Sequence, residues 1–141
     1  IYTHSRYLPP SKVHNYDIDN SMGSECCILN GVRAKRSIIG LRSRIDKGTS
    51  IENSIIMGTD FFESLEEMKT NITKAVPHIG IGENCTIKRS IVDKNARIGK
   101  NVQLINQRGV DKEDGPNGNY FIREGIILIP KNATIPDGTV I

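Results

Sequence analysis

Aliphatic residues recur six positions apart through most of this 141-residue chain, in broken segments. A helix repeats its apolar face about every 3.6 residues and a strand every two, so neither ordinary element produces this spacing. The members of the series are Ile39, Ile45, Ile51 and Met57, then Ile81 and Ile87, then Val92, Ile98 and Leu104, and finally Ile129, Ile135 and Ile141.

The residues between these aliphatics follow a second rule. Four positions after most of them comes a small residue, and beside them stand Gly, Asn and Asp, which accept turn or left-handed geometry. Each six-residue unit therefore predicts one short strand and one corner, and three units predict a triangular coil of about 18 residues. Stacked coils form an all-β parallel β-helix, which we predict for residues 39–58, 79–104 and 126–141. A β-sandwich is the weaker alternative, because its period is two.

Two segments interrupt the spacing. In residues 59–78, the apolar residues Phe61, Leu65 and Met68 predict about two turns of amphipathic helix packed on the coils. In residues 106–119, glycine, proline, asparagine and aspartate predict a polar loop.

The start of the chain differs from the rest. Residues 1–15 are extended and contain prolines, so we expect a linker that enters a solenoid over residues 16–141. The first methionine is Met22, and we expect the chain to be part of a longer protein.

The composition fits a narrow solenoid core. Aromatic residues make up 5% of the chain and there is no tryptophan. The net charge of +3 is too small to argue for a nucleic-acid partner, and no apolar run is long enough to predict a membrane span. The three cysteines, Cys26, Cys27 and Cys85, have no metal-ligand spacing, so we expect buried thiols.

Two hexads are near copies of each other: residues 92–97 read VDKNAR and residues 129–134 read IPKNAT. Each has a lysine two positions after the buried aliphatic, and Lys94 and Lys131 are 37 residues apart (131 − 94). One coil plus an inserted loop accounts for that separation, which would place the two ammonium groups on adjacent coils, about 5 Å apart at the backbone. Stacked like charges favour an anion such as phosphate between them. The alternative is that both lysines are solvated corner residues.

Other polar residues are weaker candidates. His78 could serve as the single catalytic histidine of a hexapeptide-repeat acyltransferase, but an exposed loop histidine beside a proline is the simpler reading. The acidic residues Asp60, Glu63, Glu66 and Glu67 predict a solvated helix face rather than a metal site.

Several runs together resemble the C-terminal domain of ADP-glucose pyrophosphorylase, which is glucose-1-phosphate adenylyltransferase. The resemblance covers essentially the whole chain, and the end of the chain leans toward the plant large-subunit type. The runs are RYLPPSK at 6–12, SIIGLRS at 37–43, MGTDFF at 57–62, IGIGEN at 79–84, IVDKNARIG at 91–99 and KNATIPDGT at 131–139.

The resemblance implies a left-handed β-helix that follows a catalytic nucleotidyltransferase domain. It implies a domain that helps to assemble a homo- or heterotetramer and takes part in activation by 3-phosphoglycerate and inhibition by phosphate. Lys94 and Lys131 match two lysines of the family implicated in activator binding. Arg42 lies in a matching run, where we expect a structural or interface role ahead of an anion contact.

In the full-length family enzyme, ATP and glucose 1-phosphate give ADP-glucose and pyrophosphate with Mg²⁺, for starch or glycogen synthesis. The resemblance places the catalytic and metal-binding residues upstream, so we expect no catalytic residue and no cofactor in this chain. It implies a plastid location for a plant protein and a cytoplasmic one for a bacterial protein. A free-standing hexapeptide acyltransferase and a purely structural solenoid remain alternatives.

Overall fold

The computed structural model describes residues 10–141, which contain eighteen short strands, one α-helix and one 3₁₀ turn at Pro116–Gly118. In chain order the elements are β1 Lys12–His14, β2 Asp17–Asp19, β3 Met22–Gly23, β4 Ile28–Asn30, β5 Arg33–Lys35, β6 Ile38–Ile39, β7 Arg44–Ile45, β8 Ser50–Glu52, β9 Ile55–Ile56, α1 Leu65–Thr73, β10 Gly80–Ile81, β11 Thr86–Lys88, β12 Ser90–Val92, β13 Arg97–Ile98, β14 Gln103–Leu104, β15 Lys112–Asp114, β16 Phe121–Arg123, β17 Ile126–Ile129 and β18 Thr134–Ile135.

The strands form three sheets, and the chain visits them in turn. Sheet A has the order β1-β4-β7-β10-β13-β18, sheet B has β14-β11-β8-β5-β2, and sheet C has β15-β16-β17-β12-β9-β6-β3. Strands of successive coils pair in parallel, as Arg97–Ile98 does with Thr134–Ile135. The predicted parallel β-helix is therefore confirmed. Each corner of this triangular prism is named by the two sheets that it joins, as the A–B, B–C or C–A corner.

The aliphatic series lines the inside of this prism. Eleven of its twelve predicted members are buried, and Met57 is the exception because its side chain is 43% exposed. Ile56 takes the inward position instead, five residues after Ile51 (56 − 51). The B–C corner is shorter by one residue than the other two, so Ile81 pairs with Ile98 after 17 residues (98 − 81) rather than 18.

Serine hydroxyls explain the short B–C corner. The hydroxyl of Ser54 donates to the carbonyl of Glu52 at 2.7 Å, which closes a tight turn. The same Ser54 hydroxyl accepts the backbone N–H of Ser90 in the next coil at 3.2 Å, and Ser54 itself donates its N–H to the Ser37 hydroxyl at 3.3 Å. The corner is thus a stack of buried serines that satisfies its own backbone groups.

The first interruption differs from its prediction. The helix α1 begins at Leu65 because Ser64 caps it in a reciprocal capping box with Glu67, so Phe61 lies before the helix and not on it. No residue of α1 is buried, and Leu65 is 76% exposed. Met68 is half-buried, with its Sδ 3.8 Å from Arg44 Nη1 of the prism, so the expected packing of the apolar stripe holds at Met68 but not at Leu65.

The second interruption is also more ordered than predicted. Instead of a polar loop over 106–119, the chain forms an antiparallel hairpin in which β15 pairs with β16, and β16 pairs with β17 of sheet C. Ile122 of β16 is buried in the core, which gives this hairpin its anchor. The polar residues form the turn between the two strands.

The solenoid begins earlier than residue 16, because β1 already pairs with β4 through Val13 and Leu29. Residues 1–9 of the expected linker lie outside the described residues. Cys26, Cys27 and Cys85 are free and buried, as expected, and burial raises the pKa of the Cys27 and Cys85 thiols. Nowhere in residues 10–141 is a helix long and apolar enough to cross a bilayer.

Candidate anion site at the C–A corner

Lys94 and Lys131 occupy the same place on consecutive coils. Both lie in the turn between sheet C and sheet A, and the backbone N–H of Asn132 donates to the Lys94 carbonyl at 3.1 Å. The strands on either side pair in register across the 37-residue separation, since Arg97 faces Thr134. The structure thus stacks the two lysines as the twin hexads predict.

Asparagines make this stacking possible. Asn95 and Asn132, which follow the lysines, have φ values of 60° and 63°. Asparagine accepts this left-handed conformation more readily than most residues, so it turns the corner at little strain. The neighbouring lysine side chains are directed outward and are 45% and 52% exposed.

A carboxylate stands between the two ammonium groups. Oδ1 of Asp60 is 3.1 Å from Nζ of Lys94, and Oδ2 of Asp60 is 3.6 Å from Nζ of Lys131. The side-chain amide of Asn95 donates to Asp60 Oδ2 at 3.1 Å, while the Asp60 N–H donates to the Asn95 amide oxygen at 2.9 Å. Hydrogen bonds from Lys94 and Asn95, together with the lysine charges, lower the pKa of Asp60, which keeps it ionised at neutral pH.

Glu63, three residues further on, fixes the interrupting segment to the prism. Its side chain is 3% exposed, and its carboxylate accepts from Arg97 Nη1 at 2.5 Å and from the Asn71 amide at 2.8 Å. It also accepts the backbone N–H of Ile79 at 3.1 Å. This carboxylate joins the start of the segment, the helix α1 and the returning strand, which corrects the prediction that Asp60 and Glu63 belong to a solvated helix face.

His78 is a second tie at the end of the same segment, and its side chain is 19% exposed, so the prediction of an exposed loop histidine is wrong. Its Nε2 is 2.8 Å from Oδ2 of Asp46, and its Nδ1 is 2.8 Å from the carbonyl of Ile79. Burial raises the pKa of Asp46, but the hydrogen bond from His78 and the charge of Arg44 outweigh it, so the net pKa is lowered. Both ring nitrogens are engaged by the protein, so His78 has no nitrogen free to act as the base of an acyltransferase.

Arg42 lies at the same corner but further along the prism. Its N–H donates to the Glu25 carbonyl at 3.3 Å, and its own carbonyl accepts the Thr59 hydroxyl at 3.0 Å. Its half-buried side chain lines a small crevice beneath the interrupting segment, beside Phe61 and Met68. The ion pairs of Asp60 in the described chain are with Lys94 and Lys131, so a role for Arg42 at an anion or an interface stays a prediction.

One outer face of the prism is apolar. Five aliphatic side chains on the outside of sheet C are aligned strand by strand, a set we call the sheet C stripe: Met22, Ile38, Ile55, Ile91 and Leu128. The corresponding outward positions on sheet B are polar: Arg33, Ser50, Thr86 and Gln103. Scattered exposed aliphatics need no explanation, but an aligned row of this kind is unusual on an exposed sheet face.

Sequence reasoning missed Asp60 as a partner of the two lysines. The position of Asp60 in the sequence could have pointed to this role, because it follows Gly58 and Thr59, where the six-residue spacing stops at the C–A corner. The path of residues 59–78 decides whether Asp60 returns to the lysines, and that path does not follow from the six-residue repeat. Glu63 was missed for the same reason.

These features define a hexapeptide-repeat β-helix whose C–A corner carries paired basic side chains. The family model for the GLGC left-handed parallel β-helix domain matches residues 6–140. The chain therefore belongs to that family, the C-terminal domain of ADP-glucose pyrophosphorylase, and its β-helix is left-handed.

Proposed function

We propose that this chain is the regulatory and assembly domain of a glucose-1-phosphate adenylyltransferase, and that Lys94 and Lys131 bind the phosphate group of its effector. The observation that carries the proposal is the stacking of the two lysines on consecutive coils, across a separation of 37 residues (131 − 94). The family resemblance supplies the effectors to consider, 3-phosphoglycerate as activator and inorganic phosphate as inhibitor.

The chemistry of the corner suits a phosphate monoester. Each ammonium group offers three N–H donors, and both are half exposed, so an incoming oxyanion can reach them without unfolding the turn. The hydrogen-bonded coils fix the two side-chain origins, which lowers the entropy lost on binding. A phosphate that contacts both lysines would gain charge-assisted hydrogen bonds from each.

The adenylyl transfer itself belongs to the rest of the enzyme in this proposal. Within residues 10–141, no three His, Cys, Asp or Glu side chains are grouped as metal ligands would be. The resemblance places the catalytic and metal-binding residues, and with them the Mg²⁺ and ATP of the full-length enzyme, in the upstream domain.

The sheet C stripe indicates how this domain packs within the full-length enzyme. It runs the length of the prism and is one side chain wide, whereas a stable interface between separate chains buries roughly 800 Å² per partner. A contact of this size suits a neighbouring domain of the same polypeptide, whose tether gives a high effective concentration. We therefore assign the stripe to the upstream catalytic domain, and the assembly of the tetramer to surfaces beyond it.

The test of the anion site is Lys131→Glu in the adenylyltransferase that contains this domain. The reversed charge repels a phosphate, so the half-saturating concentration of 3-phosphoglycerate should rise by about tenfold or more, with the unactivated rate little changed. Lys100→Glu is the matched control, because Lys100 is exposed on the same coil as Lys94 but at the A–B corner. Equal effects of the two changes, or a larger effect on the unactivated rate than on activation, would contradict the proposal.

A further inference from the structure

The place that an effector phosphate needs is taken by a group of the protein itself. Between Lys94 and Lys131 the carboxylate of Asp60 contacts both ammonium groups, one with each oxygen. The carboxylate thus provides the anion that the stacked lysines require, and it does so from a segment that only passes over the corner.

We infer that Asp60 is a built-in competitor for the effector anion, so that phosphate binds by displacing its carboxylate from Lys94 and Lys131. The inference rests on the proposed function, because it assigns regulation to the same pair of lysines. In the unliganded domain the Asp60 carboxylate occupies the anion site, and it leaves when an anion that binds the lysines more tightly is present.

Local charge supports displacement over simple addition. Lys94 and Lys131 bring two positive charges, and Asp60 and Asp93 bring two negative ones, so the corner is nearly neutral while Asp60 stays. The Asp93 carboxylate does not take the place of Asp60, since it accepts a hydrogen bond from the backbone N–H of Lys94 at 2.6 Å. An oxyanion added to this neutral corner would meet two carboxylates, whereas one that replaces Asp60 would meet the two ammonium groups directly.

The strength of the Asp60 contacts suits a competitor. All three side chains are close to half exposed, so solvent screens the two ion pairs and each contributes little. A phosphate dianion carries about twice the charge of a carboxylate and more acceptor oxygens, so it can win the exchange. A monocarboxylate such as acetate has the same charge and the same acceptor oxygens as the Asp60 side chain, so acetate should not displace Asp60.

Displacement would be transmitted to the interrupting segment. Asp60 is followed by the exposed side chains of Phe61 and Phe62. Beyond them, Glu63 is held by Arg97 in a much more buried contact. Release of the Asp60 carboxylate would therefore alter the surroundings of Phe61 and Phe62, while the Asp60 N–H stays bound to Asn95 and Glu63 continues to fix the rest of the segment.

The test is an NMR titration of this chain with inorganic phosphate, comparing the wild type with Asp60→Asn. Removal of the competing carboxylate should tighten the apparent phosphate dissociation constant by about threefold to tenfold, the range expected when two exposed ion pairs no longer have to be broken. Asp93→Asn is the matched control for charge alone, since it removes a neighbouring negative charge that contacts neither ammonium group in the described contacts. Asp93→Asn should lower the phosphate dissociation constant by clearly less than Asp60→Asn does.

A second readout separates displacement from electrostatics. In the wild type, phosphate should shift the backbone amide signals of Phe61 and Phe62. In Asp60→Asn these signals should start near their phosphate-bound positions and move little. Acetate at the same ionic strength should reproduce neither change.

The possible failures can be told apart. If Lys131→Glu weakens phosphate binding but Asp60→Asn leaves it unchanged or weakens it, the competitor inference is wrong and the anion site stands. An equal gain from Asp60→Asn and Asp93→Asn also overturns the inference, because charge alone would explain it. If neither Lys94→Glu nor Lys131→Glu affects phosphate binding, the proposed function fails at its anion site, and the inference fails with it.

Discussion

At the scale of single residues, the serines of the B–C corner show how a small side chain sets the coil length. Ser37, Ser54 and Ser90 are all buried, and each hydroxyl donates to a carbonyl two residues earlier. Those of Ser37 and Ser54 also accept an N–H from the following coil. Each hydroxyl hydrogen-bonds backbone groups that water cannot reach. Its loss should therefore lower the free energy of unfolding by more than the removal of one small group suggests.

Ser54→Ala tests this stack. The change leaves the backbone N–H of Ser90 without its acceptor in a buried corner, so the free energy of unfolding should fall by about 1–2 kcal/mol. Urea denaturation measures it. Ser50→Ala, on the outer face of sheet B, is the matched control and should cost less than about 0.5 kcal/mol. Equal losses in Ser54→Ala and Ser50→Ala would show that the buried serine hydrogen bonds add no stability beyond that of an exposed serine.

The same corner explains what the sequence could not predict at this scale. The six-residue spacing identifies buried positions such as Ile45, Ile98 and Ile135 because two corners of each coil do use six residues. It fails at Met57 because the serine turn removes one residue, and Ser54 gives no separate sign of a shorter turn before the hydrogen bonds are known. Asp60 was missed because its partners are set by the path of a segment outside the repeat.

At the scale of elements, residues 59–78 are held to the prism by polar contacts rather than by a core of their own. The helix α1 buries none of its residues, yet its capping box and its ties through Glu63 and His78 keep it in one place. The sequence predicted a helix here from Phe61, Leu65 and Met68. A helix does form in this segment, but it begins after Ser64, and the side chains of Leu65 and Ile72 are exposed to solvent.

Asp46→Asn tests the His78 tie through its pH dependence. Because the pKa of Asp46 is lowered in the folded protein, its contribution to stability is complete above the unfolded pKa, about 4, and is lost as pH falls through the lower folded value. At pH 7 the change should lower the free energy of unfolding by about 1 kcal/mol.

The difference between wild type and Asp46→Asn should shrink when urea unfolding is repeated at successively lower pH values below about 4. Asp17→Asn, at an exposed position on β2, is the control and should show little difference at any pH. A difference that stays constant down to the lowest pH would rule out the ionised Asp46 carboxylate as its source.

At the scale of the whole molecule, the prism presents unlike faces. The sheet C stripe is apolar, whereas the matching positions of sheet B are polar, and the C–A corner with Lys94 and Lys131 joins sheet C to sheet A. The repeat predicted the prism, and the twin hexads with an inserted loop between them predicted the alignment of Lys94 with Lys131. The difference between the faces was not predicted, because it depends on the strand register that places Ile38 and Ile55 on adjacent strands of one sheet.

Ile55→Glu tests the stripe. The side chain is exposed in this chain, so the isolated domain should keep its circular dichroism spectrum and lose less than about 0.5 kcal/mol of stability. In the full-length enzyme the new carboxylate would be buried against the catalytic domain, so proteolysis between the two domains should become faster. Gln103→Glu, an exposed outward position on sheet B, is the control. Unchanged proteolysis in Ile55→Glu would show that the stripe faces no partner domain.

The central claim is that Lys94 and Lys131 act on one bound anion, and a double-mutant cycle tests it most directly. Lys94→Gln, Lys131→Gln and the double variant of the full-length enzyme would be compared for 3-phosphoglycerate binding by calorimetry. A phosphate held by both lysines loses most of its site with either one, so the double variant should fall short of the sum of the single losses by about 0.5–1 kcal/mol. Strictly additive losses, or none, would mean that the lysines are separate solvated corners and that the effector binds elsewhere.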